Sequence, residues 1–179
     1  MRISGGKAKG IMLKTPKSSS LRPAAETVRE RLFSSLGDLV KGVTFLDLFA
    51  GTGSYGLEAL SRGAESGVFI EKDGQTASCL RSNLIAVCKS ANVSSDSFEV
   101  IRSDALSLKT RLGGPFDLIF ADPPYPILTK IAPKLFARML KDGLTDKSSL
   151  LVLELPCEIE LYPEGWKCVR RLGKEQKGA

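Results

Sequence analysis

The chain has 179 residues, of which 42% are hydrophobic and 26% charged. That is enough for one domain with a substantial core, and the composition is ordinary for a globular protein. It contains no histidine, which excludes imidazole bases, Ser-His-Asp triads and histidine metal sites. No apolar stretch approaches the length of a membrane span and the N-terminus has no apolar signal core, so the expectation is a cytoplasmic protein.

The four cysteines, Cys79, Cys88, Cys157 and Cys168, form no C-x-x-C pair and read as reduced structural thiols. The net charge of +6 is unevenly placed. Arg2, Lys7, Lys9, Lys14, Lys17 and Arg22 fall in residues 1–25 with no acid among them, while basic and acidic side chains balance over the rest. A solvated basic tail is one reading of this arm. A grip on phosphate backbone is the other, because clustered Lys and Arg release counterions on binding nucleic acid.

In chain order, "RISGG" and "GIMLKTP" flank a short Gly/Lys connection and pair as a predicted hairpin. "KSSSLRP" reads as a flexible joint. Val28, Leu32, Phe33 and Leu36 recur with helical spacing, predicting an amphipathic helix over 23–36 with proline in its first turn and Gly37 as its stop. Strands are expected at 43–49, 67–71, 98–103, 116–121 and 148–155, and a sixth at 166–172. Helices are expected over 57–62, 73–89 and about 127–140. Near-continuous apolar strands alternating with helices predict an α/β fold with a doubly wound, mainly parallel sheet.

Ligands in such sheets sit beyond the carboxyl ends of the strands. Four polar features fall there. "DLFAGTGSYG" (47–56) follows the first strand, and glycines at 51, 53 and 56 permit close backbone approach and tight helix packing. A lone G-x-G-x-x-G also fits a nicotinamide dehydrogenase or a plain turn. Asp47 beside it suits a ligand bearing an ammonium or hydroxyl better than a pyrophosphate. Glu71 ends the next strand, 20 residues beyond Gly51, where an acid can bind ribose hydroxyls. Asp104 in "SDA" can accept from an adenine amino group or serve as a helix cap.

The fourth feature is "ADPPYP" (121–126). Its prolines fix the backbone, holding the Asp122 carboxylate and the Pro123 carbonyl as adjacent acceptors. Two acceptors match the two hydrogens of an exocyclic amino group. Tyr125 offers a face on which a base can stack, a contact worth roughly 1–3 kcal/mol in single-strand binders.

This order of motifs resembles the amino-methyltransferases that use S-adenosylmethionine. "RISGGKAKG" and "LRPAAETVRERLFSSL" narrow the resemblance to the bacterial 16S rRNA guanine-N2 methyltransferase family, the RsmD type, over residues 1–172. The resemblance implies a Rossmann-like class I methyltransferase fold, with a hairpin arm at 1–20 and a catalytic domain at 21–179. It implies that Asp47, Gly51 and Gly53 line the methionine part of the cofactor, Glu71 its ribose, and Asp104 with Ala105 its adenine. Phe49, Lys72 and Asp122 complete that set. Asp122, Pro123 and Tyr125 would carry catalysis, with Pro124 and Tyr125 against a flipped guanine. Arg2, Lys7, Lys9, Lys14 and Lys17 would grip rRNA, and Arg22 would lie near the mouth of the site.

The implied product is S-adenosylhomocysteine, with no metal, and the implied partner is 16S rRNA in the small ribosomal subunit or its assembly intermediate, bound by a monomer. The chain departs from the family pattern at Ala24, where a threonine is usual, and at "RRLGKEQKGA", where the family usually has a final strand. An adenine-N6 methyltransferase sharing "DPPY" and a non-catalytic rRNA-binding assembly factor are the competing functions.

Overall fold

The computed structural model describes residues 1–16, 23–108, 112–156 and 158–173. Its elements are α1 (Pro23–Leu36), β1 (Thr44–Asp47), α2 (Ser54–Ser61), β2 (Ser66–Glu71), α3 (Gly74–Ala91), β3 (Phe98–Arg102), β4 (Leu118–Ala121), α4 (Tyr125–Lys141) and β5 (Leu150–Leu153). Gly37, at φ +54°, ends α1 and opens one turn of 3₁₀ helix. Among the described residues no helix is long and apolar enough to cross a membrane.

The five strands form one parallel sheet in the order β3-β2-β1-β4-β5. From β1 the chain steps outward to β2 and β3, then returns past β1 to β4 and β5. The strand order therefore reverses between β1 and β4, the switch point at which such sheets bind ligands. Alternate side chains along each strand enter two cores. Phe45, Phe69 and Phe120 meet Phe33, Leu57 and Leu80 of α1, α2 and α3 on one face. Leu46, Ile70 and Ile119 meet Leu128, Leu135 and Phe136 of α4 on the other. Helices on both faces make the sheet doubly wound, as its apolar strands require.

The arm is part of this body. Ile3 and Ile11, and Met1 and Leu13, are joined by backbone bonds around an Arg2–Met12 bridge. Ile3, Ala8 and Leu13 are buried in the first core, while Arg2, Lys7, Lys9 and Lys14 face out. Gly6 is at φ +77°, and a Cβ there would lie 1.9 Å from the Ser61 carbonyl oxygen at the end of α2. Only glycine permits that approach. Ser61 carbonyl oxygen accepts from the Lys7 amide, and its hydroxyl accepts from the Ala8 amide and donates to the Gly5 carbonyl.

Beneath the arm, the fully buried Glu58 carboxylate accepts from the Ser4 amide and hydroxyl at 2.9 and 2.7 Å. It also pairs with Arg29 at 3.3 Å and Arg62 at 2.8 Å. Arg29 in turn donates to the Arg2 carbonyl. A freely solvated tail is thereby ruled out for residues 1–16.

Three sequence expectations are corrected, the first being that α2 begins at Ser54 rather than 57. Residues 166–172 form no strand among the described residues. Trp166 instead packs edge-on against Phe136 at 5.7 Å, leaving Val169 and Leu172 exposed. Helix α4 begins at Tyr125 rather than about 127, so Pro126 lies inside its first turn. Proline is tolerated there because the first helical N–H groups have no intrahelical partner.

Candidate active site

The register of the parallel strands brings the polar strand ends to one rim. Asp47 pairs with Phe69 of β2 and Phe120 of β4. Glu71 and Asp122 each follow those partners by two residues, on either side of Asp47. Glu154 comes directly after Leu153, the partner of Ala121 on β5.

Asp47 is 2% exposed, and its Oδ2 accepts from the Gly56 amide at 3.1 Å. Burial pushes its carboxyl up to about 7, opposed by the Gly56 bond and reinforced by the negative charges of Asp122 and Glu71. Asp47, Glu71 and Asp122 thus gather negative charge at the carboxyl ends of three adjacent strands. A pocket on that rim would repel pyrophosphate and favour a ligand that carries positive charge and hydroxyl donors.

The glycine loop completes this pocket. Gly51 has φ +54°, and a Cβ there would meet nothing within 4 Å, so the space above it is open. Gly53, at φ +90°, is the N-cap of α2. Glu71 Oε2 accepts from the Gly51 amide at 2.8 Å and Oε1 from the Asp73 amide at 2.7 Å. Phe49, half-buried, packs toward the α4 core.

Farther along the rim, Asp104 caps no helix. Its Oδ1 accepts from the Leu106 amide in a local turn, and Oδ2 pairs with Lys72 at 2.8 Å. The Lys72 bond, then the Leu106 amide, hold its carboxyl below the usual range. Ala105 is buried next to it.

At the "DPPY" corner, Asp122 and Pro124 are exposed and Pro123 is buried. Tyr125, the first residue of α4, is 37% exposed and donates to Glu154 Oε1 at 3.0 Å. Tyr55, in the first turn of α2, donates to Glu154 Oε2 at 2.6 Å and stacks on Phe120 at 5.5 Å. Burial, the Glu154 hydrogen bond and the charges of Glu154 and Asp122 all raise the Tyr55 pKa.

Glu154 and Tyr55 escape sequence reasoning. "LLVLE" carries the same strand-end acid as "GVFIE", a usable signal, but its tyrosine partners are 99 and 29 residues away.

The basic residues divide by position. Lys14 is tied by its backbone N–H and carbonyl to Asn83 of α3, whose amide also donates to the Thr52 carbonyl in the glycine loop. Lys14 therefore stands beside the rim. Lys7 lies at the far end of α2, about 12 Å away by helix rise. Arg2 pairs with Glu26 of α1 at 3.3 Å. Lys17 and Arg22 lie outside the described residues. Among the described residues no cluster of three or more His, Cys, Asp or Glu could hold a metal ion.

A parallel doubly wound sheet with a glycine loop after β1, an acid ending β2 and "DPPY" after β4 defines a class I methyltransferase fold. The family model described as "Conserved hypothetical protein 95" matches residues 1–178. Ribosomal RNA small subunit methyltransferase D of Haemophilus influenzae is 33% identical over 95% of this chain and 86% of its own length. The protein of the same name in Escherichia coli is 40% identical over 70% of this chain; that match spans 60% of the relative's length.

Among solved structures, a putative methyltransferase yhhF from Escherichia coli superposes with a TM-score of 0.82 at 31% identity, covering 98% of this chain and 93% of that one. The putative methylase HI0767 from Haemophilus influenzae gives 0.74 at 30% identity, covering 97% and 92%. The chain belongs to this family, the RsmD-type methyltransferases.

Proposed function

We propose that the chain transfers a methyl group from S-adenosylmethionine to the exocyclic N2 of a guanine in 16S rRNA of the small ribosomal subunit. The observation that carries this reading is the register of β1 against β4, which pairs Asp47 with Phe120, two residues before the Asp122 of "DPPY". The names of the relatives support ribosomal RNA as substrate. The outward basic row on the docked arm supports the same class, since phosphate contacts supply most sequence-independent affinity.

When bound, S-adenosylmethionine supplies an electrophilic methyl on a sulfonium and leaves as S-adenosylhomocysteine. Asp47, with Gly51 and Gly53, holds its ammonium end; Glu71 holds the ribose hydroxyls; Asp104 and Ala105 hold the adenine. The pocket's crowded negative charge is relieved by that cation.

The target base leaves its stack to enter the site and lies against Tyr125. An exocyclic amine conjugated to its ring is a weak nucleophile. The Asp122 carboxylate accepts one N–H and the Pro123 carbonyl the other, drawing the nitrogen toward tetrahedral geometry and freeing its lone pair. As the new N–C bond forms, the extra proton leaves toward Asp122. Orientation and charge stabilisation are the main catalytic contributions.

The test compares wild type with Asp122→Ala for binding of S-adenosylmethionine and for transfer of labelled methyl to 16S rRNA. The variant is expected to lose most turnover with a far smaller loss of cofactor affinity, since Asp47, Gly51, Gly53, Glu71 and Asp104 remain. Near-normal transfer by the variant, or preference of the wild type for a nicotinamide dinucleotide, would overturn the reading.

A further inference from the structure

Tyr125 is fixed at both ends. Its backbone stands between Pro124 and Pro126 at the start of α4, which restricts φ on both sides. Its hydroxyl is held by Glu154 at 3.0 Å. An aromatic ring on a helix terminus otherwise retains two rotatable side-chain bonds. A hydrogen bond at the para position removes most of that freedom, in a side chain that is 37% exposed.

Glu154 is itself braced. Its amide donates to the Ala121 carbonyl at 2.9 Å, locking it to the end of β4 one residue before Asp122. Its other carboxylate oxygen accepts a hydrogen bond from the buried Tyr55 hydroxyl at 2.6 Å. Tyr55 is 9% exposed and stacks on Phe120 of β4. One carboxylate thus joins β5, α2 and α4 around the corner that bears Asp122. The Asp122 charge also acts on the Tyr55 hydroxyl, so the same groups share one electrostatic neighbourhood.

We infer that Glu154 is a positioning residue for base methylation, holding the Tyr125 ring at a fixed angle so that the target base stacks with its amino group against Asp122. The inference rests on the proposed function, in which Tyr125 receives the base. Glu154 takes no proton from the base and contacts no methyl group in this scheme. Its contribution is to present the ring already oriented, so that base capture does not have to immobilise it.

A hydrogen bond to a charged group is worth roughly tenfold or more in the equilibrium it biases. Tyr125→Phe keeps the ring and removes the tether, and is expected to lower kcat roughly tenfold with little change in KM for RNA or in cofactor affinity. Removing Glu154 alone would leave the buried Tyr55 hydroxyl without its acceptor. Glu154→Ala is therefore made in a Tyr55→Phe background. There, Glu154→Ala and Tyr125→Phe should each lower kcat by the same factor, and the two together by no more than either alone. Losses that multiply, or an unchanged kcat in Tyr125→Phe, would overturn the inference.

A readout independent of activity uses 3-fluorotyrosine and ¹⁹F NMR, with three tyrosines to assign. The Tyr125 resonance is expected to shift toward that of a solvated tyrosine when Glu154 is removed. A resonance that does not move would refute the tether even if the wild type methylates no RNA; an inactive wild type with an intact tether would refute only the proposed function.

Discussion

The amide of Gly51 donates to Glu71 Oε2 at 2.8 Å, joining the glycine loop after β1 to the end of β2. The 20-residue separation in sequence is thereby closed into one wall of the pocket. Glu71 also accepts from the Asp73 amide through its other oxygen, so the loop and the start of α3 share one carboxylate.

Glu71→Ala removes both acceptors and the group proposed to bind ribose. Cofactor affinity should fall at least tenfold, by about 1.5–3 kcal/mol for charged hydrogen bonds. Isothermal titration with S-adenosylmethionine checks it. Unchanged affinity would detach Glu71 from the cofactor.

Asp47 gives a pH dependence. Its pKa is raised from 3.8 to about 7 chiefly by burial, so below that pH the free protein holds the proton. A cationic ligand binds the carboxylate and must displace the proton, so affinity for S-adenosylmethionine should fall about tenfold per pH unit below about pH 7. Asp47→Asn should bind weakly, with that slope lost.

For stability the sign is opposite. The folded state holds more protons than the unfolded state between pH 3.8 and about 7, so the Asp47 contribution to stability of the free protein declines as pH rises through that window. Thermal melts with and without cofactor over pH 4 to 8 read both effects.

The outward lysines of the arm can be changed without disturbing its inward face. Lys7, Lys9 and Lys14 are exposed, and the bonds that dock the arm come from their backbone or from neighbours. Reversing all three to glutamate should weaken rRNA binding and flatten the slope of log K against log salt by ~2–3, while cofactor binding is unchanged. Filter binding over a salt series measures it. An unchanged slope would remove the arm from the RNA interface.

Glu58 and Arg29 are 0% and 1% exposed. Glu58→Ala leaves the arginine buried without its carboxylate and takes the acceptor from Ser4. The expected loss is about 3–5 kcal/mol in urea-induced unfolding. A loss below 1 kcal/mol would mean that the arm and Arg29 find other partners.

The five strands are legible in the sequence because parallel strands buried on both faces must be apolar runs, and "VTFLDLF", "GVFIE" and "FDLIFA" are such runs. The rule that ligands sit beyond the carboxyl ends of such strands then puts Asp47, Glu71, Asp104 and Asp122 on a common rim, whereas the order β3-β2-β1-β4-β5 and its register come from the structure. What stays hidden depends on pairs remote in sequence. Six basic residues without an acid describe a tail by charge alone. The buried Ser4–Glu58 contact, 54 residues apart, is what seats the arm. Residues 166–172 read as a strand because apolar residues recur there, yet Trp166 finds its burial on α4 and the segment has no sheet neighbour among the described residues. Glu154 is the strongest omission: its acid is visible at a strand end, whereas its two tyrosines meet it only in three dimensions.

The most direct test of the central claim is nucleoside mass spectrometry of 16S rRNA from cells lacking the enzyme, after incubation with this protein and S-adenosylmethionine, as naked RNA and as assembled subunits. One N2-methylguanosine per RNA, absent with Asp122→Ala, is the predicted result. N6-methyladenosine in its place, or no methylated nucleoside from either substrate, would contradict it.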